Sequence, residues 1–400
     1  MTKYLGFLAI CLFFITSCSS GIDAASDSLS EEPSTDSFAE DSEGSSSVDN
    51  GTEGQGNQSQ EEAGLITAAE WNDLDQWSFW TNLLRVEDFK QMPNYWSFYT
   101  ENRVAVVLKD SQGNAVSNIS VGLQKQGNVV WEAKTDNFGK AELFAGTRQQ
   151  ENNIDYTSYS LYVDGQFRNG PVIPFSEGIN EIVYTGVNEK NNTIELSFIV
   201  DATGSMSDEL EFLKKDLLDV ITKVKENRPN TTIATSSVFY RDEGDDYVVR
   251  NSGFTTDVTS TLNFIKAQSA DGGGDFPEAV HTALDNALTE LQWSNSTKTK
   301  IAFLLLDAPP HHNNQVIDNL HNTIEKAAKM GIKIIPITAS GIDKETEFLM
   351  RFFAVATNGT YVFITNDSGI GNDHLEASVG EYQVEKLNNL LVRLVTKYSE

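Results

Sequence analysis

Cysteine is nearly absent: the 400 residues hold two, Cys11 and Cys18. Cys11 lies inside an apolar run that an export signal would take with it, so no intramolecular disulfide framework is available. An exported fold must then rest on its hydrophobic cores, which this length permits. Positive charge is also scarce. The 29 Lys and Arg stand against 58 Asp and Glu, a formal net charge of -29. Such a chain repels nucleic acid and anionic lipid surfaces, and it tolerates or concentrates cations. Beyond the N-terminus no apolar stretch is long enough to cross a bilayer. Signatures of catalysis are missing as well. There is no Gly-x-x-x-x-Gly-Lys-Ser/Thr loop, no Gly-x-Ser-x-Gly elbow, and no Ser/His/Asp triad that spacing alone picks out. The chain is therefore read as a binding protein and not an enzyme.

What is present falls into segments. Lys3 precedes an apolar run, Leu5 to Ile15, of the length of a signal h-region. Small residues and Cys18 follow. The string Ile15-Thr-Ser-Cys18 resembles the lipobox of bacterial lipoproteins, with Ile15 and Ser17 a loose match to it. That resemblance implies a signal peptide over 1–18, lipidation of Cys18, and a protein anchored by lipid in the bacterial cell envelope, at the outer membrane. An ordinary secretory signal cleaved nearby is the alternative. Residues 19–63 carry twelve Asp and Glu, no Lys or Arg, and hardly any large apolar side chain. They cannot bury enough apolar surface to offset the entropy of ordering, so a disordered, self-repelling tether is expected.

Residues 64–100 contain Trp71, Trp77, Trp80 and Trp96, four of the six tryptophans. Trp77, Trp80 and Leu84 share a helical face, which suits either a sugar-stacking platform or rings packed on a neighbouring domain. Residues 101–190 read as short strands with recurrent turn signals, an antiparallel β-sandwich. The order Asp110-Ser-Gln-Gly-Asn114, Val121-Gly-Leu123, Thr135-Asp-Asn-Phe-Gly139 resembles the Ig-like and carboxypeptidase-regulatory-like sandwiches of surface proteins. In residues 191–400 strand-length apolar runs alternate with helical periods. Thr193–Val200, Ile233–Tyr240, Ile301–Leu306, Ile332–Thr338 and Thr360–Ile364 are strand candidates. Helices are expected near 207–227, 277–291, 316–330, 346–356 and 384–397. This alternation predicts an α/β fold, a doubly wound parallel sheet with right-handed crossovers.

In such a sheet the functional crevice lies beyond the carboxyl ends of the strands. Three polar clusters fall there: Asp201-Ala-Thr-Gly-Ser205, Asp307-Ala-Pro-Pro310, and the loop Asp271-Gly-Gly-Gly-Asp275-Phe-Pro-Glu278. The first matches the Asp-x-Ser/Thr-x-Ser signature of the metal-ion-dependent adhesion site, so the segment resembles the von Willebrand factor A family. The resemblance implies that Asp201, Thr203, Ser205 and Asp307 hold a divalent cation, Mg²⁺, Ca²⁺ or Mn²⁺. These are hard oxygen donors of the kind such ions take. It further implies that the cation captures a carboxylate offered by a protein or glycan partner. Gly274 stands where the family has a threonine, and Asp275 is the candidate to supply the missing oxygen. Two other readings share the crevice. One is a metal-assisted hydrolase with Asp242, Glu278 or His311 as base. The other is a structural envelope protein whose site is degenerate. His311, His312 and His321 lack the spacing of a zinc motif, and the His-His pair is read as a solvated loop pair.

Overall fold

The structure, a computed structural model, describes residues 63–187 and 192–400. Cys18 and nearly all of the acidic tether lie outside the described residues.

The chain opens with a strand, β1 (Thr67–Trp71), and three short helices: α1 (Trp77–Leu83), α2 (Glu87–Lys90) and α3 (Met92–Trp96). Seven strands follow: β2 (Arg103–Lys109), β3 (Ser120–Lys125), β4 (Asn128–Lys134), β5 (Lys140–Phe144), β6 (Tyr159–Val163), β7 (Gln166–Phe167) and β8 (Asn180–Val183). They form two small sheets, ordered β5-β2-β8 and β4-β3-β6-β7. Their inward residues, among them Val106, Leu143, Leu123 and Leu161, share one core, in which Trp131 meets Phe144 edge-on at 5.5 Å. The pairing is not wholly antiparallel, as the sequence suggested, because β8 runs parallel to β2. The turn expected at Thr135–Gly139 is present. Asp136 Oδ1 accepts hydrogen bonds from the amides of Phe138 and Lys140, both at 2.9 Å.

The remainder alternates. β9 (Thr193–Asp201) leads into α4 (Ser207–Asn227), then β10 (Thr232–Tyr240), β11 (Val249–Asn251), α5 (Val258–Lys266) and α6 (Val280–Thr289). β12 (Thr299–Leu306), α7 (Asn314–Met330), β13 (Ile332–Thr338), α8 (Lys344–Ala356), β14 (Tyr361–Ile364), β15 (Val384–Lys386) and α9 (Leu387–Ser399) complete it. The large sheet has eight strands in the order β11-β10-β9-β12-β13-β14-β1-β15. From β10 to β14 neighbours pair in parallel. Every residue of β12 is buried, as a central parallel strand covered on both faces requires. Ile301, Phe303 and Leu305 pack on the side of α4 and α9, while Ala302, Leu304 and Leu306 pack on the side of α6, α7 and α8. This is the doubly wound arrangement. Burial of Leu210, Leu213, Leu217, Ile221 and Val224 on α4 follows the 3.6-residue period.

Two placements depart from the sequence reading. The aromatic segment packs on the α/β half, one of the two arrangements read from its spacing, but it also adds a strand to that half. β1 lies inside the large sheet, antiparallel to β14 on one side and to β15 on the other. Residues 384–386, expected at the start of the last helix, are that outer strand. The tryptophans serve packing. Trp71, Trp80 and Trp96 are buried, and Trp80 stacks on Phe348 of α8 with ring centroids 5.8 Å apart. This leaves no row of exposed rings for a sugar. The segment is also fastened by charge: Arg351 of α8 donates two hydrogen bonds to Asp73, at 2.6 and 2.8 Å, in a buried ion pair.

Candidate metal centre

The crevice is assembled from three strand-end segments tied to one another by backbone. β9 ends at Asp201, and the next residue, Ala202, donates its amide to Tyr240 O at the end of β10. The glycine loop is laid across the turn that follows β9. Gly204 N donates to Gly272 O at 3.1 Å, and Asp271 N donates to Ala202 O at 3.0 Å. The loop is held on its other side by Asp245, whose Oδ2 accepts from Gly273 N at 2.9 Å and from Asp242 N at 3.1 Å. Gly272 and Gly273 take φ of 78° and 75°, left-handed values that glycine adopts without strain. The third segment follows β12: Glu278 N donates to Pro309 O at 2.8 Å, and Glu278 pairs with Pro310 in a parallel bridge.

These ties bring the predicted residues together. Thr203, Ser205, Asp307, Asp275 and Glu278 line one open crevice of about 400 Å³, with Gly272 to Gly274 along one wall. Asp201 lies beneath it, fully buried. Its Oδ1 accepts from the amide of Thr203 at 2.9 Å and from the Thr203 hydroxyl at 2.7 Å. The Thr203 and Ser205 hydroxyls are 3.1 Å apart. The carboxylate thus orients the first hydroxyl, and that hydroxyl meets the second. The spacing of two residues achieves this because the chain turns sharply just after the strand, through a 3-10 turn at Gly204–Met206.

Three carboxyl groups here are buried with oxygens that lack a hydrogen bond among the described residues: Asp201 Oδ2, Glu278 Oε2 and Asp307 Oδ1. Their acidities show the strain. Burial, then the neighbouring Asp307, pushes Asp201 up to about 7. Burial, then the charges of Asp201, Asp242, Asp307 and Asp245, pushes Glu278 up to about 9. Burial raises Asp307 to about 6. Buried carboxylates normally gain a positive partner or a full set of donors, and these have neither. A cation would supply the positive partner they lack.

Asp275, the candidate for the missing oxygen, stands at the mouth of the same crevice. It lines the crevice but is exposed, three residues ahead of the buried Glu278. The sequence named Glu278 only as a possible base. Among the described residues, no group of three or more His, Cys, Asp or Glu is gathered as a ligand set. The donors differ in kind: hydroxyls stand between the carboxylates. The three histidines go separate ways. His311 Nε2 is 2.7 Å from Asp242 Oδ1 on the crevice side of the fold. His312 and His321 donate to the carbonyls of Tyr95 and Ser97 at 2.8 Å.

Residues 195–369 match the family model of the von Willebrand factor A domain. The α/β half carries a von Willebrand factor A domain. A stretch of 131 residues, 33% of this chain, is 34% identical to the ariadne-like RING finger protein R811 of Acanthamoeba polyphaga mimivirus, and spans 12% of that protein's length. Among solved structures, the conserved hypothetical protein BatB from Bacteroides thetaiotaomicron is similar at 14% identity, with a TM-score of 0.35, over 52% of this chain and 98% of that one. Von Willebrand factor A domains commonly bind a divalent cation where the first strand ends, and the residues found here fit that group. Oriented hydroxyls, hard oxygens and orphaned buried carboxylates are the donor set that Mg²⁺, Ca²⁺ or Mn²⁺ takes.

Proposed function

We propose that this is a lipid-anchored envelope protein whose von Willebrand factor A domain binds a divalent cation, and through it an acidic partner, for adhesion or assembly. The observation that carries the reading is the Asp201–Thr203–Ser205 cluster, with its unpaired buried carboxylate, on the floor of an open crevice. Asp201 fixes the Thr203 hydroxyl. Thr203 and Ser205 present their oxygens to the crevice, and Asp307 adds negative charge from the next strand end. A cation bound there would keep a position for a carboxylate oxygen from a protein or glycan. The family supports a role in protein interaction; the lipid anchor at Cys18 and the partner's chemistry are inferred from the sequence. The test is thermal unfolding of the purified protein in EDTA, Mg²⁺, Ca²⁺ and Mn²⁺. A bound ion raises the midpoint as its concentration rises, and Asp201→Ala removes the rise. Unfolding that is indifferent to every ion would sink the reading and leave a structural envelope protein with a degenerate site.

A second reading has one observation in its favour. The Asp242–His311 pair, 2.7 Å apart, has the form of an oriented base, and Asp242 is among the charges that act on Glu278. A metal-assisted hydrolase would use it. Cation-dependent turnover of simple ester or phosphoester substrates, lost in His311→Gln, would support that reading. Capture of a partner without turnover would count against it.

A further inference from the structure

We infer that Glu278 is a carboxylate ligand of the cation site, supplying through space the oxygen that a threonine of the glycine loop supplies elsewhere in the family. The inference rests on the cation-binding reading above and adds a residue to it.

Four observations carry it. First, the stretch Gly272 to Gly274 has no side chain to give, and the next residue, Asp275, lines the crevice but is exposed. Secondly, Glu278 is 3% exposed, yet it lines the crevice and its Oε2 has no hydrogen-bond partner among the described residues. A buried acid normally satisfies both oxygens. Thirdly, its carboxylate lies over the loop beside the cluster. A Cβ built on Gly273 would sit 3.0 Å from Glu278 Oε1 and 3.4 Å from Thr203 Cβ. A side chain at this position would crowd both the carboxylate and the threonine. Fourthly, the backbone of Glu278 is fixed by its hydrogen bond to Pro309 O and its bridge to Pro310, in the segment that bears Asp307. The side chain is thus pre-positioned on the same frame as the other donors, as a ligand needs to be.

A carboxylate in place of a neutral hydroxyl changes the site. It adds a full negative charge and can bind through two oxygens, which suits the larger and more flexible shell of Ca²⁺. The cation is then held firmly before any partner arrives.

The test is calorimetric titration of Ca²⁺, Mg²⁺ and Mn²⁺ into the protein with no partner present. Wild type is compared with Asp201→Ala, Glu278→Gln, Asp275→Asn, and Glu278→Gln combined with Gly274→Thr. Glu278→Gln is expected to weaken Ca²⁺ binding at least tenfold, while Asp275→Asn stays within about twofold. The added threonine is expected to recover part of the loss. A Cβ at Gly274 meets nothing within 4 Å and the backbone there is not left-handed, so the side chain fits. Glu278→Gln binding as tightly as wild type would overturn the inference while leaving the cation site standing. So would Asp275→Asn proving the more damaging change. No binding by wild type, or undiminished binding by Asp201→Ala, would instead bring down the underlying reading. Circular dichroism of each metal-free variant establishes folding. Were Glu278→Gln unfolded, Glu278→Asp, which keeps the charge but shortens the reach, takes its place. Weakened Ca²⁺ binding by that variant supports the role, and unchanged binding refutes it.

Discussion

At the scale of single residues the molecule separates side chains whose neighbours in sequence determine their task from those placed by distant contacts. His321 belongs to the second group. It sits on α7 with its ring stacked on Phe98, centroids 3.9 Å apart, and its Nε2 donates to Ser97 O. Burial is the main cause that lowers its pKa from 6.5 to about 4. In the folded protein the ring therefore stays neutral at pH values where the unfolded chain protonates it. Its contribution to stability is complete above pH 6.5 and is lost as the pH falls towards 4. His321→Gln removes the titration. The difference in urea midpoint between wild type and this variant should narrow, or change sign, on going from pH 7 to pH 4.5; a constant difference would contradict the assignment. The crevice shows the same division. That Asp201, Thr203, Ser205 and Asp307 gather at one crevice was legible because they follow apolar strands directly. The burial of Glu278 against that crevice was not legible, because its place depends on a bridge to Pro310. Nothing near it in sequence announces that contact.

At the scale of elements, the long apolar and amphipathic stretches declared themselves, and the short ones did not. β9, β10, β12 and β13 and the helices α4 and α7 lie within a few residues of where periodicity puts them. β11 and α5 carry weaker signals, being three and nine residues long. β15, also three residues long, was absorbed into the helix after it, because Val384 to Lys386 continues an apolar-polar pattern either state can satisfy. The parallel pairing of β8 with β2 is beyond any local pattern, since partner choice in a sheet is decided by what the strands bury. The join between β1 and α8 yields a prediction of its own. Arg351 is fully buried and bonded to Asp73, Glu347 and Ser378 O, and its guanidinium lies over the Trp80 ring. Arg351→Ala leaves Asp73 buried without its cation, while Glu347 keeps Lys344, and should cost about 3–5 kcal/mol, read as a lowered urea midpoint. Asp73→Asn, which keeps the shape, should cost less. Equal small losses would show that the pair contributes little.

For the whole molecule, the change of sequence grammar near residue 191 marks where strands begin to alternate with long helices and not where the fold is divided. β1 comes from well before that point and lies between β14 and β15, with Ala68 and Ala69 buried on its two faces. Lys333 of β13 meets Asp136 of the small-sheet turn at 3.2 Å, and Asn358 meets the same carboxylate at 3.1 Å. One hydrophobic cluster runs from the small sheets through α6, α7 and α8. Residues 63–400 should therefore unfold in one transition, whereas a fragment of residues 192–400 should express as aggregate or lack a cooperative melt. Two-step melting of the longer chain, or a well-folded fragment, would show the units to be independent. Under tension the position of β1 has a further effect. Its first residues pair with the carboxyl end of β14, Ala68 opposite Ile364, so the chain enters the sheet at the end that carries the crevice. A pull between a captured ligand and the residues before β1 would run across the strands instead of along them. Its backbone bonds to β14 and β15 would then be loaded one after another, as a zip opens, and not together in shear. The first bonds to part would be those near Thr67, far from Asp201 across β13, β12 and β14, so the strand could peel and yield under load before the grip on the ligand is disturbed.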